Sequence, residues 1–181
     1  MSKEIDLSNY SLIRLTEDYS IKAFDCDDAD LNDFLFNDAK DYLKGLLAVT
    51  HLIEDVENNN TIAFFSMFND KISLKDTNNN FWNKLRKEIP SRKKLPSYPA
   101  VKLGRLGVSN DYKGQRFGKM ILDFLKIHFV TNNRTGCRFL TVDAYKKSLG
   151  FYEKQGFLYL TKEDIDEDTR QMHYDLFQLQ P

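Results

Sequence analysis

The chain has 181 residues, which fits one domain of ordinary size, and its formal net charge at neutral pH is −1. Hydrophobic residues make up 41% and charged residues 29%, which argues against both a disordered chain and an integral membrane protein. The nearly balanced charge argues against a uniformly basic nucleic-acid-binding protein. The sequence shows no signal-peptide pattern and no apolar run that could span a bilayer. We therefore expect a cytoplasmic protein without membrane attachment, in which Cys26 and Cys137 are reduced.

The hydrophobic pattern predicts strands and helices along the whole chain. The first half contains a strand at 10–15, a helix at 31–43, and a hairpin of strands at 46–54 and 61–68. A basic insertion at about 75–98 with a short helix follows. The second half contains a strand at 100–108, a long helix opened by Gly114 and Gly118, a strand at 137–142, a helix at 146–154, and strands at 157–160 and 171–179. Strands joined by crossover helices pair in parallel, whereas the hairpin is antiparallel. The predicted fold class is α/β (α+β), a mixed sheet flanked by helices, in a single domain over 1–181.

The segment from Leu103 to Lys119 carries the strongest functional signal, because a strand leads through a short turn into a helix start. The first N–H groups of a helix lack internal partners and carry the positive end of its dipole, so they can bind a phosphate. Gly114 and Gly118 would let the backbone approach that phosphate closely. The segment is neither a P-loop nor the three-glycine dinucleotide motif. A helix start with glycines placed only for tight packing is the alternative.

Two blocks in this half of the chain resemble the GNAT superfamily of N-acetyltransferases. The first is Leu106-Gly-Val108 followed by Lys113-Gly-Gln-Arg-Phe-Gly118, and the second is Phe151-Tyr152-Glu-Lys-Gln-Gly156-Phe157. The resemblance covers about residues 100–160 and implies a GNAT-like mixed, centrally splayed β-sheet. It also implies an N-acetyltransferase that transfers an acetyl group from acetyl-CoA to a primary amine by direct attack. The cofactor-binding residues that it implies are Leu106, Gly107, Val108, Lys113, Gly114, Gln115, Arg116, Phe117, Gly118 and Lys119.

The resemblance assigns the catalytic steps to few residues. A backbone N–H near Gly107 or Val108 would polarise the acetyl carbonyl. Tyr152 matches the family's general acid, which protonates the thiolate of CoA as it leaves, and the alternative is a core tyrosine. The chain departs from the family at Arg116, which replaces a glycine, and at Tyr145, which stands near the place of an asparagine. With helical backbone angles Arg116 could clasp a phosphate, whereas at positive φ it would be strained and cofactor binding would weaken.

Removal of a proton from the attacking amine is the step with no obvious residue. Between Ala100 and Val108 the sequence has no acid. A lysine-like amine is almost wholly protonated at pH 7, so a missing base favours a weakly basic α-amine as acceptor. Glu54 or His51 could supply a base from the hairpin. We predict no metal site, since the histidines and cysteines lack ligand spacing.

A narrower resemblance concerns toxin-type GNAT enzymes, which acetylate aminoacyl-tRNA and pair with a small antitoxin. It rests on three short stretches, which are Ala23-Phe-Asp-Cys26, Leu31-Asn-Asp-Phe-Leu35 with Ala39, and Leu103-Gly-Arg-Leu106. It makes tRNA and an antitoxin candidate partners, besides acetyl-CoA, an amine acceptor and a second copy of the chain. The basic residues of 84–94 are either a docking surface for an acidic partner or a solvated loop. A non-catalytic acyl-CoA-binding domain is the third alternative.

Overall fold

The computed structural model describes residues 9–77, 79–88, 95–131 and 135–180. Its strands form a seven-stranded sheet in the order β1-β2-β3-β4-β5-β7-β6. The strands are β1 (Tyr10–Arg14), β2 (Val49–Asp55), β3 (Asn60–Ser73), β4 (Ser97–Val108), β5 (Phe139–Tyr145), β6 (Leu158–Tyr159) and β7 (Thr169–Asp175). The α-helices are α1 (Ala29–Asp33), α2 (Ala39–Lys44), α3 (Asn79–Glu88), α4 (Phe117–Thr131) and α5 (Leu149–Lys154).

The sheet mixes antiparallel and parallel pairs, as the sequence predicts. β1 pairs with β2 and β2 with β3 in antiparallel register, and β7 pairs antiparallel with both β5 and β6. β4 and β5 are parallel, and their ladder runs from the pair Ala100–Phe139 to the pair Lys102–Thr141. The predicted α/β class, with a mixed sheet flanked by helices, is confirmed.

Several predicted boundaries are wrong, each for a local reason. The last strand ends at Asp175 and not at residue 179, because the Asp175 carboxylate accepts the Phe177 N–H at 3.0 Å and begins a 3₁₀ turn over Leu176–Leu179. The first helical region starts earlier, where Asp28 accepts the N–H of Leu31, and it contains a π turn over Phe34–Asp38. Part of the predicted basic insertion, residues 89–94, lies outside the described residues.

The first compact unit comprises the described residues up to Phe68 together with Leu103–Phe124. Its core packs the π turn and α2 against the sheet through buried residues Leu15, Phe24, Cys26, Phe34, Leu35, Ala39, Leu52 and Phe64, and Leu31 of α1 packs against this cluster while only partly buried. Two glycines of β4 allow this packing. A Cβ atom on Gly107 would lie 2.6 Å from a Phe64 ring carbon, and one on Gly104 would lie 2.2 Å from a Phe68 ring carbon. Any side chain at either glycine would displace an aromatic ring.

The second compact unit comprises the described residues of the range 69–102 and those from Leu125 onward. Its core contains Ile72, Trp82, Leu85, Tyr98, Ala100, Phe139 and Leu160. The predicted single domain over 1–181 stays a prediction. Both cysteines are free. In the part of the chain that the structure describes, no helix combines the length and apolarity that crossing a bilayer requires.

His173 of β7 is the buried titratable group of the second unit with the most direct consequence for stability. Its ring is 3% exposed and contacts the rings of Phe81 and Phe139 edge-on, with centroids 4.8 and 5.9 Å away. Burial lowers the pKa of His173 from 6.5 to about 4, because the apolar surroundings disfavour the charged imidazolium. The folded protein therefore keeps this histidine neutral at pH values where the unfolded chain protonates it.

We predict that the free energy of unfolding falls as pH decreases from about 6.5 towards 4, because only the unfolded chain takes up the His173 proton in that window. At pH 5 the loss from this group should be about 2 kcal/mol relative to pH 7.5. Urea unfolding of the wild type and of His173→Asn at pH 7.5 and pH 5 measures this decrease in the free energy of unfolding. An equal decrease in the two proteins would contradict the prediction.

Candidate cofactor-binding segment and acid

The segment that follows β4 is tied to two other parts of the first unit. The Ser109 N–H donates to the carbonyl oxygen of Ile62 on β3 at 2.7 Å. The Asn110 N–H donates to the carbonyl oxygen of Asp25, in the stretch between β1 and α1, at 2.9 Å. Asn110–Tyr112 then form a single 3₁₀ turn. Backbone bonds to two elements therefore fix the direction in which the chain leaves Leu106–Val108.

Asp55, at the end of β2, adds a side-chain tie to the same segment. Its carboxylate accepts the N–H groups of Glu57 and Asn58, both at 2.9 Å, the Asn58 amide at 2.8 Å and the Tyr112 hydroxyl at 2.9 Å. Hydrogen bonds lower the pKa of Asp55 to about 2. The largest contributions come from the two donors of Asn58, and smaller ones come from the Tyr112 hydroxyl and the Glu57 N–H. Burial, and then the bond to Asp55, raise the pKa of Tyr112. One permanently ionised carboxylate thus orders the β2–β3 turn and holds the 3₁₀ turn beside it.

Residues 113–116 form the turn that opens α4. The Lys113 and Gln115 N–H groups donate to the carbonyls of Asn110 and Tyr112 at 3.2 and 3.3 Å. The backbone takes positive φ at Gly114 (+79°) and again at Arg116 (+69°). The Met120 N–H donates to the Arg116 carbonyl at 3.0 Å and begins the helical pattern. The N–H groups of residues 117–119 precede that first bond and are therefore available to a ligand.

The side chains of the turn separate into an exposed rim and one core residue. Residues 113–116 are exposed, and a Cβ atom on Gly114 would meet nothing within 4 Å. Phe117 is 1% exposed and packs edge-on against the rings of Tyr10 and Tyr112, at 5.3 and 5.8 Å. Of the predicted cofactor-binding residues, Phe117 can thus offer a ligand only its backbone, because its ring belongs to the core.

The stretches that resemble toxin-type enzymes contact one another in the first unit. The Arg105 guanidinium on β4 lies 5.1 Å from the centre of the Phe34 ring and 3.7 Å from the Asp30 carboxylate. The Cys26 N–H and thiol both donate to the Asn32 side-chain oxygen, at 3.1 and 3.2 Å. A cation–π contact and an ion pair therefore dock α1 and the π turn onto β4. The three stretches are separate in sequence and form a single packing arrangement.

Tyr152 lies on α5 in the second unit and is buried, with 7% of its surface exposed. Its ring contacts Phe151 and Phe157 edge-on, at 5.1 and 5.4 Å. Its carbonyl accepts the N–H groups of Gln155 and Phe157, at 3.0 and 3.1 Å, and this closes the helix at Gly156. Burial raises the pKa of Tyr152. At neutral pH the hydroxyl therefore carries its proton, as a general acid must.

The second unit contains carboxylates near β4 that sequence reasoning missed. The Lys102 ammonium on β4 donates to the Asp143 carboxylate on β5 at 2.8 Å, just beyond the last pair of the parallel ladder. The Thr141 hydroxyl donates to Asp70 of β3. Asp143 keeps 43% of its side chain exposed. The strand itself has no acid, but the register of its neighbours supplies Asp143, and only knowledge of that register could have revealed it.

Glu54, a candidate base from the sequence, is held inside the first unit. Its side chain is 1% exposed, and one carboxylate oxygen accepts from the Tyr19 hydroxyl and pairs with the Lys22 ammonium, both at 2.7 Å. Burial and the bond to Glu54 raise the pKa of Tyr19 to about 12. We interpret Glu54 as the anchor of the stretch between β1 and α1, since a buried carboxylate requires such partners. Among the described residues no group of three or more metal-binding side chains occurs.

A family of known proteins matches the part of the chain that contains the turn before α4 and Tyr152. Residues 88–176 match the family model described as "Acetyltransferase (GNAT) domain". The chain contains a GNAT acetyltransferase domain. It is therefore an enzyme of the acetyltransferase class. No curated protein matches the sequence.

Several solved structures share the fold of this GNAT chain over nearly its whole length. A tyrosine-to-phenylalanine mutant of KacT has a TM-score of 0.76 and 21% identity, covering 95% of this chain and 99% of its own. AtaTR bound with acetyl-CoA has a TM-score of 0.72 and 20% identity, covering 94% and 96%. AtaT complexed with acetyl-methionyl-tRNAfMet has a TM-score of 0.73 and 18% identity, also covering 94% and 96%. At these identities the likeness establishes the fold.

The turn before α4 fits the phosphates of the donor. Gly114 leaves open space where a side chain would stand, and residues 113–116 are exposed around the N–H groups that start the helix. A diphosphate at this end of α4 would accept those N–H groups and benefit from the helix dipole. The binding roles of the ten residues from Leu106 to Lys119 stay predictions.

We predict that Gly118→Asp weakens acetyl-CoA binding by at least about tenfold, because its carboxylate would stand beside the phosphates. The fold should tolerate the change, since an acid in the first turn of a helix is favourable. Isothermal calorimetry measures the affinity, with Gly118→Ala as the uncharged control. Gly150→Asp, at an exposed glycine with open space around it, controls for net charge. Undiminished binding to Gly118→Asp would contradict this site.

Proposed function

We propose that this GNAT enzyme transfers the acetyl group of acetyl-CoA to the α-amino group of an acceptor by direct attack of the neutral amine on the thioester. The buried, protonated Tyr152 is the single observation that carries the proposal. It would donate its hydroxyl proton to the CoA sulfur as the thiolate leaves. A thiolate desolvated in the same surroundings is a stronger base than in water, which compensates for the raised pKa of the phenol.

We propose an α-amine as the acceptor because β4 offers no free carboxylate that could deprotonate a more basic amine. At pH 7 about a tenth of α-amino groups are neutral, whereas only about four in ten thousand lysine side chains are. β4 has no acid between Ala100 and Val108. The carboxylate of Asp143 on the neighbouring strand β5 is paired with Lys102 of β4. This carboxylate is thus already occupied by a cation of the protein, so the site suits an acceptor that is partly deprotonated before it binds.

Aminoacyl-tRNA is the acceptor that we favour. AtaT complexed with acetyl-methionyl-tRNAfMet matches this chain over 94% of its length. The contacts of Arg105 with Phe34 and Asp30 give a physical reason for the resemblance of the N-terminal motifs to toxin-type enzymes. α3 presents the exposed cations Lys84 and Lys87, which suit a phosphate backbone. An antitoxin is a proposed partner on the same ground, because a structure of the AtaT-AtaR complex also matches this chain, whereas a second copy of the chain stays a prediction.

A small-molecule or peptide α-amine is the second candidate. The net charge of −1 and the pI near 6.3 favour it, because tRNA-binding proteins usually carry a larger positive charge. The cluster of Arg92, Lys93 and Lys94, which would strengthen the case for tRNA, lies outside the described residues.

We predict that Tyr152→Phe lowers kcat by about a hundredfold and leaves acetyl-CoA affinity within about twofold, since loss of a general acid removes transition-state stabilisation only. Thiol release measures turnover, and calorimetry measures affinity. Tyr159→Phe is the matched control, because its hydroxyl bonds to Glu153 at the surface. Equal turnover in Tyr152→Phe would exclude this tyrosine as the acid.

The acceptor is tested by offering acetyl-CoA with charged tRNA, free amino acids, short peptides and an Nα-blocked lysine. We expect acid-precipitable acetyl label on charged tRNA, none on uncharged tRNA, and labelling about a hundredfold slower with Tyr152→Phe. Label on amino acids or peptides alone would establish the second candidate. Preferential acetylation of the blocked lysine at pH 7 would contradict an α-amine acceptor altogether.

A further inference from the structure

Lys126 of α4 is a buried cation that the proposed reaction does not use. It is 8% exposed. Its ammonium donates to the Gln155 carbonyl oxygen at 2.7 Å and lies 4.1 Å from the centre of the Tyr174 ring. Burial of an ammonium costs free energy unless polar or aromatic groups replace its water. A methionine would fill the same space without this cost, so the charge itself requires an explanation.

The hydrogen bond from Lys126 ends in the last turn of α5. Gln155 is the C-cap residue of this helix, which has six residues, and its N–H donates to the Tyr152 carbonyl at 3.0 Å. Carbonyl groups at a helix C-terminus lack donors within the helix and carry the negative end of its dipole, so an ammonium satisfies both needs. A helix this short is not stable on its own. The turn directly after Tyr152 therefore depends on tertiary contacts such as this one.

The Tyr174 ring connects the same cation to the ring of Tyr152. Tyr174 packs against Phe157 with ring centres 5.6 Å apart, and Phe157 packs against Tyr152 at 5.4 Å. The Lys126 ammonium also lies 5.9 Å from the centre of the Phe157 ring. A Cβ atom on Gly156, which follows the C-cap with a φ of +83°, would lie 3.2 Å from a carbon of the Tyr174 ring. The cation thus contacts both the end of α5 and the aromatic row beside it.

The Tyr152 side chain depends on this surrounding structure for its orientation. Burial is the sole cause that raises the pKa of Tyr152, and no hydrogen bond from a described residue contributes to the shift. The direction of its hydroxyl is therefore set by the packing of its ring and by the backbone of α5. A general acid must come within about 3.2 Å of the atom that it protonates, so a small rotation of the helix end takes it out of reach.

We propose that Lys126 is a positioning residue for Tyr152: its ammonium fixes the last turn of α5 and the aromatic row, and thereby the direction of the Tyr152 hydroxyl. This inference rests on the proposed role of Tyr152 as the general acid. Lys126 acts through Gln155 and Tyr174, and not by contact with a substrate.

Lys126→Met tests the proposal, because it keeps the length of the side chain and removes its charge and its donor. It should lower kcat about tenfold and leave the KM for acetyl-CoA within about twofold, since a misplaced acid affects only the transition state. Lys126→Arg keeps a cation and donors, so it should restore kcat to within about threefold of the wild type. Lys154→Met, at an exposed position of α5, is the matched control and should have wild-type kcat.

Combination with Tyr152→Phe separates positioning from a purely structural role. Without the acid, Lys126→Met should lower kcat by less than about twofold, because no hydroxyl remains to be directed. A purely structural role would lower kcat by the same factor in both backgrounds. Hydrogen exchange gives a readout that is independent of turnover: the Gln155 and Phe157 amides should exchange about tenfold faster in Lys126→Met, since they belong to the turn that the ammonium holds.

Equal kcat in the wild type and Lys126→Met, or an equal loss with and without Tyr152→Phe, would overturn this inference and leave the proposed function unchanged. Wild-type kcat in Tyr152→Phe alone would instead overturn the proposed acid, and this inference with it. If Lys126→Met does not fold, Lys126→Gln replaces it with the same expectations. The glutamine amide nitrogen is one bond closer to the backbone, so it does not reach the Gln155 carbonyl.

Discussion

The hydrogen bond between Asp55 and Tyr112 is the constraint on which the cofactor turn depends. It joins the end of β2 to the 3₁₀ turn after β4, positions that are far apart in the sequence. Asp55 can serve as this anchor because the turn donors of Asn58 keep it ionised. Tyr112 in turn accepts the Gln115 N–H through its carbonyl, and its ring packs on Phe117. The turn geometry at 113–116 is thus set by a hairpin that contains no cofactor-binding residue.

The periodic elements of the fold could be predicted from sequence because each has its own local signal. The apolar rows of α4 and the β-branched run of β5 are examples, and the mixed sheet followed from their order. β3 was predicted too short, because Asn69, Asp70 and Lys71 interrupt its apolar pattern. Their place in the strand depends on pairing with distant residues, such as the bond from Thr141 to Asp70, which no local window contains.

The residue types of the candidate site could be read from the sequence, but its geometry could not. The two motif blocks single out the turn before α4 and Tyr152 as candidates, and their roles stay predictions. The sequence also revealed that Arg116 replaces a glycine, yet the sign of its φ is set by ties from Ile62, Asp25 and Asp55, which lie elsewhere in the chain. The ion pair of Lys102 with Asp143 depends on strand register in the same way. Tertiary contacts decide these features, so local patterns do not encode them.

The two glycines of β4 restrict how this sequence can change over time. Gly104 and Gly107 lie beneath the rings of Phe68 and Phe64, at distances that leave no room for a methyl group. A larger residue at 104 becomes acceptable only after position 68 has become smaller, whereas a smaller residue at 68 leaves a cavity until 104 fills it. Whichever of the two substitutions comes first, the protein that carries it alone is less stable. Homologous sequences should therefore change these positions in pairs, and the residue at 104 should be predictable from the residue at 68.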